Sequence, residues 1–322
     1  MLGDSLHQSA LAAASPFGGN AISLLEEIKV KQIVNLYRTS LGVDVASHFA
    51  GIDRIGFYRC ENSGLRFFYP RVTGSEQFYE SLQTFPWYYL QTKSEFECAK
   101  RLIASQDSVL EVGCGFGHFA ETIGSGRYVG LEFSRRARDV AHAHGISVFN
   151  ASVEEFSRQH VAEFNVVCSF QVLEHVRDVV SFIEGCLLCL RSQGRLIFSV
   201  PNGDSYLGFA VNSPLNMPPH HVTWWSKDVF KYVAKRYGLR LEALHTERVM
   251  NEHLAAYATT VIGEAFSNAL GLPRARSLLR SSLSYRMMNR VASVLAKFIV
   301  QGLQDYRLRP VGHTLTVVFQ KQ

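Results

Sequence analysis

Between residues 108 and 200 the chain alternates short apolar runs with stretches of helical spacing. Residues 108–112 (SVLEV), 128–131, 147–149, 164–170 (FNVVCSF) and 195–200 (RLIFSV) read as strands. Residues 116–123, 134–144 and 178–190 read as the helices between them. Near-continuous apolar strands separated by helices predict a parallel sheet covered on both faces. Ser226 then caps a helix over 227–237 that Gly238 closes, residues 239–245 form a sixth strand, and 313–320 (HTLTVVFQ) a last one. The mostly helical pattern between them is too long for a hairpin loop and predicts an insertion. Upstream, Leu24, Leu25, Ile28, Ile33, Leu36 and Tyr37 have helical spacing, predicting a helix over 21–40. Residues 54–70 read as two short strands around Glu61-Asn62-Ser63-Gly64, and aromatic side chains crowd 78–90. Residues 1–20 are small and polar, which predicts poor order. The expected division is a leader over 1–94, a core over 95–246 and 313–322, and a helical insertion over 247–312.

Composition adds bounds. The 322 residues are 47% hydrophobic and 19% charged, enough to bury a sizeable core and unlike a disordered chain. A net charge of +5 is mild and does not by itself select a nucleic-acid partner. Cys60, Cys98, Cys114, Cys168, Cys186 and Cys189 are too sparse for a disulfide framework and read as free thiols in a reducing compartment, hence a cytoplasmic protein. Asp4 and the lack of a basic start argue against a secretory leader, and no run of eighteen apolar residues predicts a membrane span.

The first core strand runs into Glu111-Val112-Gly113-Cys114-Gly115-Phe116-Gly117. Glycines there let the backbone turn sharply and approach a ligand, at the carboxyl end of a strand. The third glycine comes one residue too early for a dinucleotide fingerprint, and no lysine follows as in a phosphate loop. Glu111 offers a carboxylate suited to a cofactor that carries an ammonium rather than a pyrophosphate. Glu132, at the end of the second strand, can accept hydrogen bonds from two ribose hydroxyls.

These motifs resemble those of class I S-adenosylmethionine-dependent methyltransferases, in particular a bacterial small-molecule subgroup. The resemblance covers about 95–245 and the last strand. The glycine loop is similar to that family's first motif and Gly130-Leu131-Glu132 to its second. Asn150-Ala151-Ser152-Val153-Glu154 resembles the adenine-contacting loop, and Phe164-Asn165-Val166-Val167 with Gln171-Val172-Leu173-Glu174-His175-Val176 the fourth-strand signature. Asn165 departs from the aspartate usual there, and Ser192-Gln193 from a proline-glycine lead-in. The resemblance implies a Rossmann-like seven-stranded, mostly parallel α/β sheet with one antiparallel strand, plus the N-terminal α/β leader and the helical insertion. It implies S-adenosyl-L-methionine as cofactor, with Glu111, Gly113, Cys114, Gly115, Gly117, Glu132, Phe133, Ser152, Val153, Phe170 and Gln171 as its binding residues.

Methyl transfer to a hydroxyl requires removal of its proton, and histidine near neutral pH suits that. His175 follows the fourth strand. His220 and His221 lie in Pro218-Pro219-His220-His221-Val222-Thr223-Trp224-Trp225-Ser226, a segment stiffened by prolines whose tryptophans offer flat walls. These three are the candidate catalytic residues. Phe78, Tyr79, Trp87, Tyr88 and Tyr89 line the pocket or form a satellite core. No metal is expected, because Cys60 alone cannot supply the four ligands of a zinc site. Residues 274–309 hold Arg274, Arg276, Arg280, Arg286, Arg290, Lys297, Arg307 and Arg309 against Asp305, beside an apolar stripe of Met287, Met288, Val291, Val294, Leu295, Phe298 and Ile299. That pattern fits either an amphipathic lid helix or a peripheral membrane contact. The expected function is methyl transfer to O or N of a small molecule, such as a sugar or a lipid-linked or phosphorylated metabolite. A non-catalytic cofactor-binding protein and, with less support and no nucleic-acid partner expected, a nucleic-acid methyltransferase are the alternatives. The oligomeric state is not legible.

Overall fold

A computed structural model describes residues 13–85, 88, 93–123, 126–271 and 277–322. The leader runs β1 (Ile22–Lys29), α1 (Val30–Leu41), β2 (Arg54–Cys60), β3 (Arg66–Tyr69), α2 (Glu76–Leu82) and α3 (Ser94–Lys100). Then follow β4 (Ser108–Val112), α4 (His118–Thr122), β5 (Arg127–Leu131), α5 (Arg135–Ala143), β6 (Val148–Phe149), α6 (Val153–Phe156), β7 (Phe164–Phe170), α7 (Val179–Cys189) and β8 (Leu190–Pro201). The chain ends with β9 (Thr223–Trp224), α8 (Lys227–Tyr237), β10 (Leu239–Arg248), α9 (Leu254–Ala269), α10 (Leu283–Gly302) and β11 (Val311–Lys321).

Seven strands form one sheet in the order β10-β11-β8-β7-β4-β5-β6. Only β11 runs against its neighbours, antiparallel to both β10 and β8. β4 is buried along its whole length, as expected of a central parallel strand covered on both faces. From β4 the chain steps outward to β5 and β6, then returns to β7 on the other side of β4. Ligands in open α/β sheets bind at such a reversal, at the carboxyl ends of the strands. The glycine loop leaves β4 there. Capping follows the sequence: the Val229 N–H donates to Ser226 Oγ at 3.4 Å, and Gly238 closes α8 at φ 62°. Asn165, where an aspartate is usual, accepts from Ser108 N–H and Oγ at 3.0 and 2.9 Å, tying the starts of β4 and β7 together.

Two expectations are corrected. The expected helix over 21–40 is a strand as far as Lys29 and a helix only from Val30. β1 pairs antiparallel with β2, and its register slips between Leu24 and Glu26. The bulge breaks the period-two alternation, so the apolar positions mimic helical spacing. Neither Trp224 nor Trp225 walls the large cavity beside the glycine loop. β9 adds to a second, antiparallel sheet, β1-β2-β3-β9, through Phe67 and Arg66. Trp224 packs with Phe57 and Phe68 in that sheet's core, and Trp225 with Phe230 in the main core. One dipeptide thus stitches the two sheets together. Burying two large aromatic side chains contributes on the order of several kcal/mol.

Candidate active site

Between β4 and α4 the backbone doubles back. Gly113 and Cys114 N–H groups both donate to the Leu131 carbonyl, at 2.8 and 3.1 Å. Gly113 sits at φ 77°, and a Cβ there would lie 2.4 Å from Val172 Cγ2. Gly117, at φ 83°, would meet Ile146 Cδ1 at 2.5 Å. Both positions therefore require glycine for conformation and for space. The loop borders a cavity of about 930 Å³, at the upper end of small-molecule sites.

Two acids face this cavity from β4 and β5. Glu132 Oε2 accepts from Gly115 N–H at 3.0 Å and Oε1 from Ser134 N–H at 2.8 Å. Burial raises its pKa, and these backbone bonds partly offset that. Glu111 is buried and accepts from Tyr128 Oη at 2.5 Å. Burial pushes it up to about 8, against the opposing pull of the Tyr128 bond. A cation placed in the cavity beside it would restore its ionised form.

The sheet order puts β7, β10 and β11 on the opposite side of the reversal. Gln171, at φ 58°, closes β7, and its Nε2 donates to Glu95 Oε1 at 3.3 Å. Glu247, at the end of β10, pairs with His313 Nδ1 of β11 at 2.7 Å and accepts from Ser94 of α3. Burial opposes ionisation of Glu247, but the bonds from His313, Ser94 and Thr314 outweigh it and its pKa is lowered. A carboxylate only accepts, so Nδ1 carries the imidazole proton and Nε2 holds the lone pair. Glu95, Glu247 and His313 all line the cavity, and sequence reading missed all three. Their signal is weak: an acid opening the helix before β4, and a histidine and an acid at the facing ends of the last two strands.

His175, His220 and His221 do come together, with ring nitrogens within 4.8 Å of one another. His175 Nδ1 donates to the His220 carbonyl at 2.7 Å, and His220 Nδ1 to that of Leu215 at 2.9 Å. Tyr88 Oη lies 2.9 Å from His220 Nε2. Glu174 lies behind them, fully buried, with neither carboxyl oxygen hydrogen-bonded among the described residues. Its Oε1 stands 3.8 Å from His175 Nε2 and 4.0 Å from His221 Nε2. Burial raises Glu174 to about 8, lowers His175 to about 4 and holds His220 and His221 well below the usual value. The three histidines lie close enough together to hold a divalent cation, with the Glu174 carboxyl beside two of them.

Of the expected catalytic histidines, His175 lines the cavity, while His220 and His221 are buried behind it. Glu111, Gly113, Cys114, Gly115, Glu132, Phe133, Ser152, Val153, Phe170 and Gln171 all line it; Gly117 packs behind the loop. Tyr79 and Tyr88 line it, Phe78 sits in the leader core, and Trp87 and Tyr89 lie outside the described residues.

Residues 87–244 match a family model described as a methyltransferase domain. The chain carries a class I S-adenosylmethionine-dependent methyltransferase domain. A ubiquinone biosynthesis O-methyltransferase of Aromatoleum aromaticum is 37% identical over 113 residues, 32% of this chain and 48% of that protein. One of the same name from Thiobacillus denitrificans is 36% identical over 109 residues, 31% of this chain and 47% of that protein. The chain thus spans about half the length of the curated relatives it matches. A solved S-adenosylmethionine-dependent methyltransferase from Thermotoga maritima, described as a possible histamine N-methyltransferase, has 15% identity and a TM-score of 0.49, covering 77% of this chain and 98% of that one. S-adenosylmethionine is the cofactor of the methyltransferase domain's family, and the residues present fit it. Glu132 uses its two oxygens on two backbone donors and keeps lone pairs for ribose hydroxyls. Glu111 is a buried carboxyl whose pKa burial raises, and an ammonium beside it would hold it ionised.

Proposed function

We propose that this protein transfers the methyl group of S-adenosylmethionine to a hydroxyl oxygen of a small molecule. When bound, the cofactor supplies an electrophilic methyl on a sulfonium. The protein's part is to hold the acceptor in line and take up its proton. The observation that carries this reading is one cavity running from the glycine loop to the Glu247–His313 pair. Glu247 fixes the His313 tautomer with the proton on Nδ1, so His313 Nε2 presents its lone pair and is the proton acceptor. His175, pushed down to about 4, is the poorer base and serves as cavity wall. Glu95, Glu247 and Glu252 border the acceptor end, with Lys93 as counter-charge. Three carboxylates favour a neutral hydroxylated acceptor, a sugar included, over a phosphorylated one. Relatives named O-methyltransferases support oxygen over nitrogen. The leader's Glu76, Tyr79, Gln83 and Tyr88 act as the cover of this cavity. The test is a panel of hydroxylated metabolites with methyl-labelled cofactor. His313→Gln is expected to lower kcat by 10²-fold or more, leaving cofactor affinity unchanged. Transfer unaffected by His313→Gln refutes the assignment.

A second reading of the histidine group has one observation behind it, the unpartnered Glu174 carboxyl. Leaving a buried carboxylate unpaired costs several kcal/mol. A divalent cation held by His175 and His221 beside Glu174 would remove that cost and would sit behind the cavity, reaching it through His175.

A further inference from the structure

Large apolar side chains cover the outside of α10. At 100° per residue, Leu283, Met287, Val291, Val294, Leu295 and Phe298 fall on one face. Each is between 41% and 68% exposed. Ala292 and Ala296, on the inner side, are buried, and α10 packs on α9. The outer strip runs from Leu283 to Phe298, a length of about 24 Å. Arg286, Arg290 and Lys297 follow one edge of it, and α10 contains no acidic residue. An apolar surface of this extent, rimmed by polar groups, marks a contact with another body.

Charge selects the partner. An antiparallel second copy seated on the same face would bring the two cationic edges together, and in either orientation the helix offers no acid to answer them. An anionic lipid surface answers both features, taking the apolar strip into its acyl boundary and the cations at its phosphates. Placement agrees: Met250, Glu252 and His253 line the cavity, and α9 starts at the next residue, Leu254. Among the described residues no helix is long and apolar enough to cross a membrane, so the contact is with a surface. Of the other cations in this segment, Arg280 lies over the Tyr285 ring, Arg309 is buried and bonded to the Leu303 carbonyl, Arg307 is paired with Asp305, and Arg274 and Arg276 lie outside the described residues.

We propose that the outer face of α10 docks on an anionic lipid bilayer, with Leu283, Met287, Val291, Val294 and Phe298 in the interface and Arg286, Arg290 and Lys297 at lipid phosphates. The inference is independent of the methyl-transfer reading, since docking is read without cofactor or acceptor.

The test is co-sedimentation of the full chain with vesicles of phosphatidylcholine alone and of an equal mixture of phosphatidylcholine and phosphatidylglycerol. The wild type is expected to sediment with the mixed vesicles and not with phosphatidylcholine, and salt is expected to release it. Phe298→Asp lowers the partition coefficient by about ten-fold or more, and Arg286→Gln, Arg290→Gln and Lys297→Gln by about five-fold each. All four positions are exposed, so circular dichroism and S-adenosylmethionine affinity are expected to stay at wild-type values. No sedimentation with the mixed vesicles overturns the proposal. So does equal sedimentation with both vesicle types that Phe298→Asp leaves unchanged. A stable dimer in sedimentation velocity that Phe298→Asp dissociates assigns the face to a second copy and overturns it as well.

Discussion

Glu111→Gln isolates the group that the cofactor's ammonium would answer. In the wild type, burial holds this carboxyl at about 8, so most of it is protonated at neutral pH. An ammonium binds the ionised form. Affinity for S-adenosylmethionine therefore falls as pH falls below 8, by about 50-fold between pH 8 and pH 6. Glutamine preserves the shape and can still accept from Tyr128 Oη, but carries no charge. The variant is expected to lose about 1.5–3 kcal/mol of binding at pH 8 and to show a flat profile. Calorimetric titration across this range reads both. 5′-Methylthioadenosine, which lacks the amino-acid ammonium, serves as control: its affinity should show no such slope in either protein. Stability supplies a second sign. The folded pKa lies above the unfolded one, so the group's contribution is lost as pH rises from about 4.3 to 8. Urea denaturation above pH 8 should find Glu111→Gln more stable than the wild type, by up to about 5 kcal/mol. A wild-type affinity independent of pH, or an equal slope for 5′-methylthioadenosine, refutes the assignment.

Gly113→Ala should destabilise by about 1–3 kcal/mol and weaken cofactor binding, since the new Cβ meets Val172. Adding Val172→Ala should recover the packing part but not the backbone strain at φ 77°, which denaturation of the double variant checks. If a divalent cation occupies the Glu174 site, zinc at a hundred-fold excess over its Kd should stabilise the wild type by about 2.7 kcal/mol and Glu174→Gln by clearly less. Equal stabilisation of both removes Glu174 from the donor set.

The strand–helix alternation over 108–245 was readable because buried parallel strands are continuous apolar runs, and because Ser226 and Gly238 mark a helix chemically. The cofactor side was equally readable: Glu111, Gly113 and Glu132 lie close in sequence to the strand ends that place them. The acceptor side was not. Glu95, Glu247 and His313 are brought together by the antiparallel pairing of β10 and β11 and by α3, contacts that no local spacing encodes. The Trp224-Trp225 dipeptide looked like a pocket loop because its core role depends on a strand pairing with β3, far upstream. The β1 bulge misled for a local reason, since one slipped residue converts an alternating pattern into a helical one.

The central claim is that the loop after β4 and the acid after β5 hold S-adenosylmethionine. Isothermal titration of the full chain with S-adenosylmethionine, repeated on Glu132→Ala, tests it most directly. The wild type is expected to bind one equivalent. Glu132→Ala, which removes a charged acceptor from both ribose hydroxyls, should weaken binding by about 10- to 150-fold. Absence of wild-type binding, or an affinity that Glu132→Ala leaves unchanged, contradicts it.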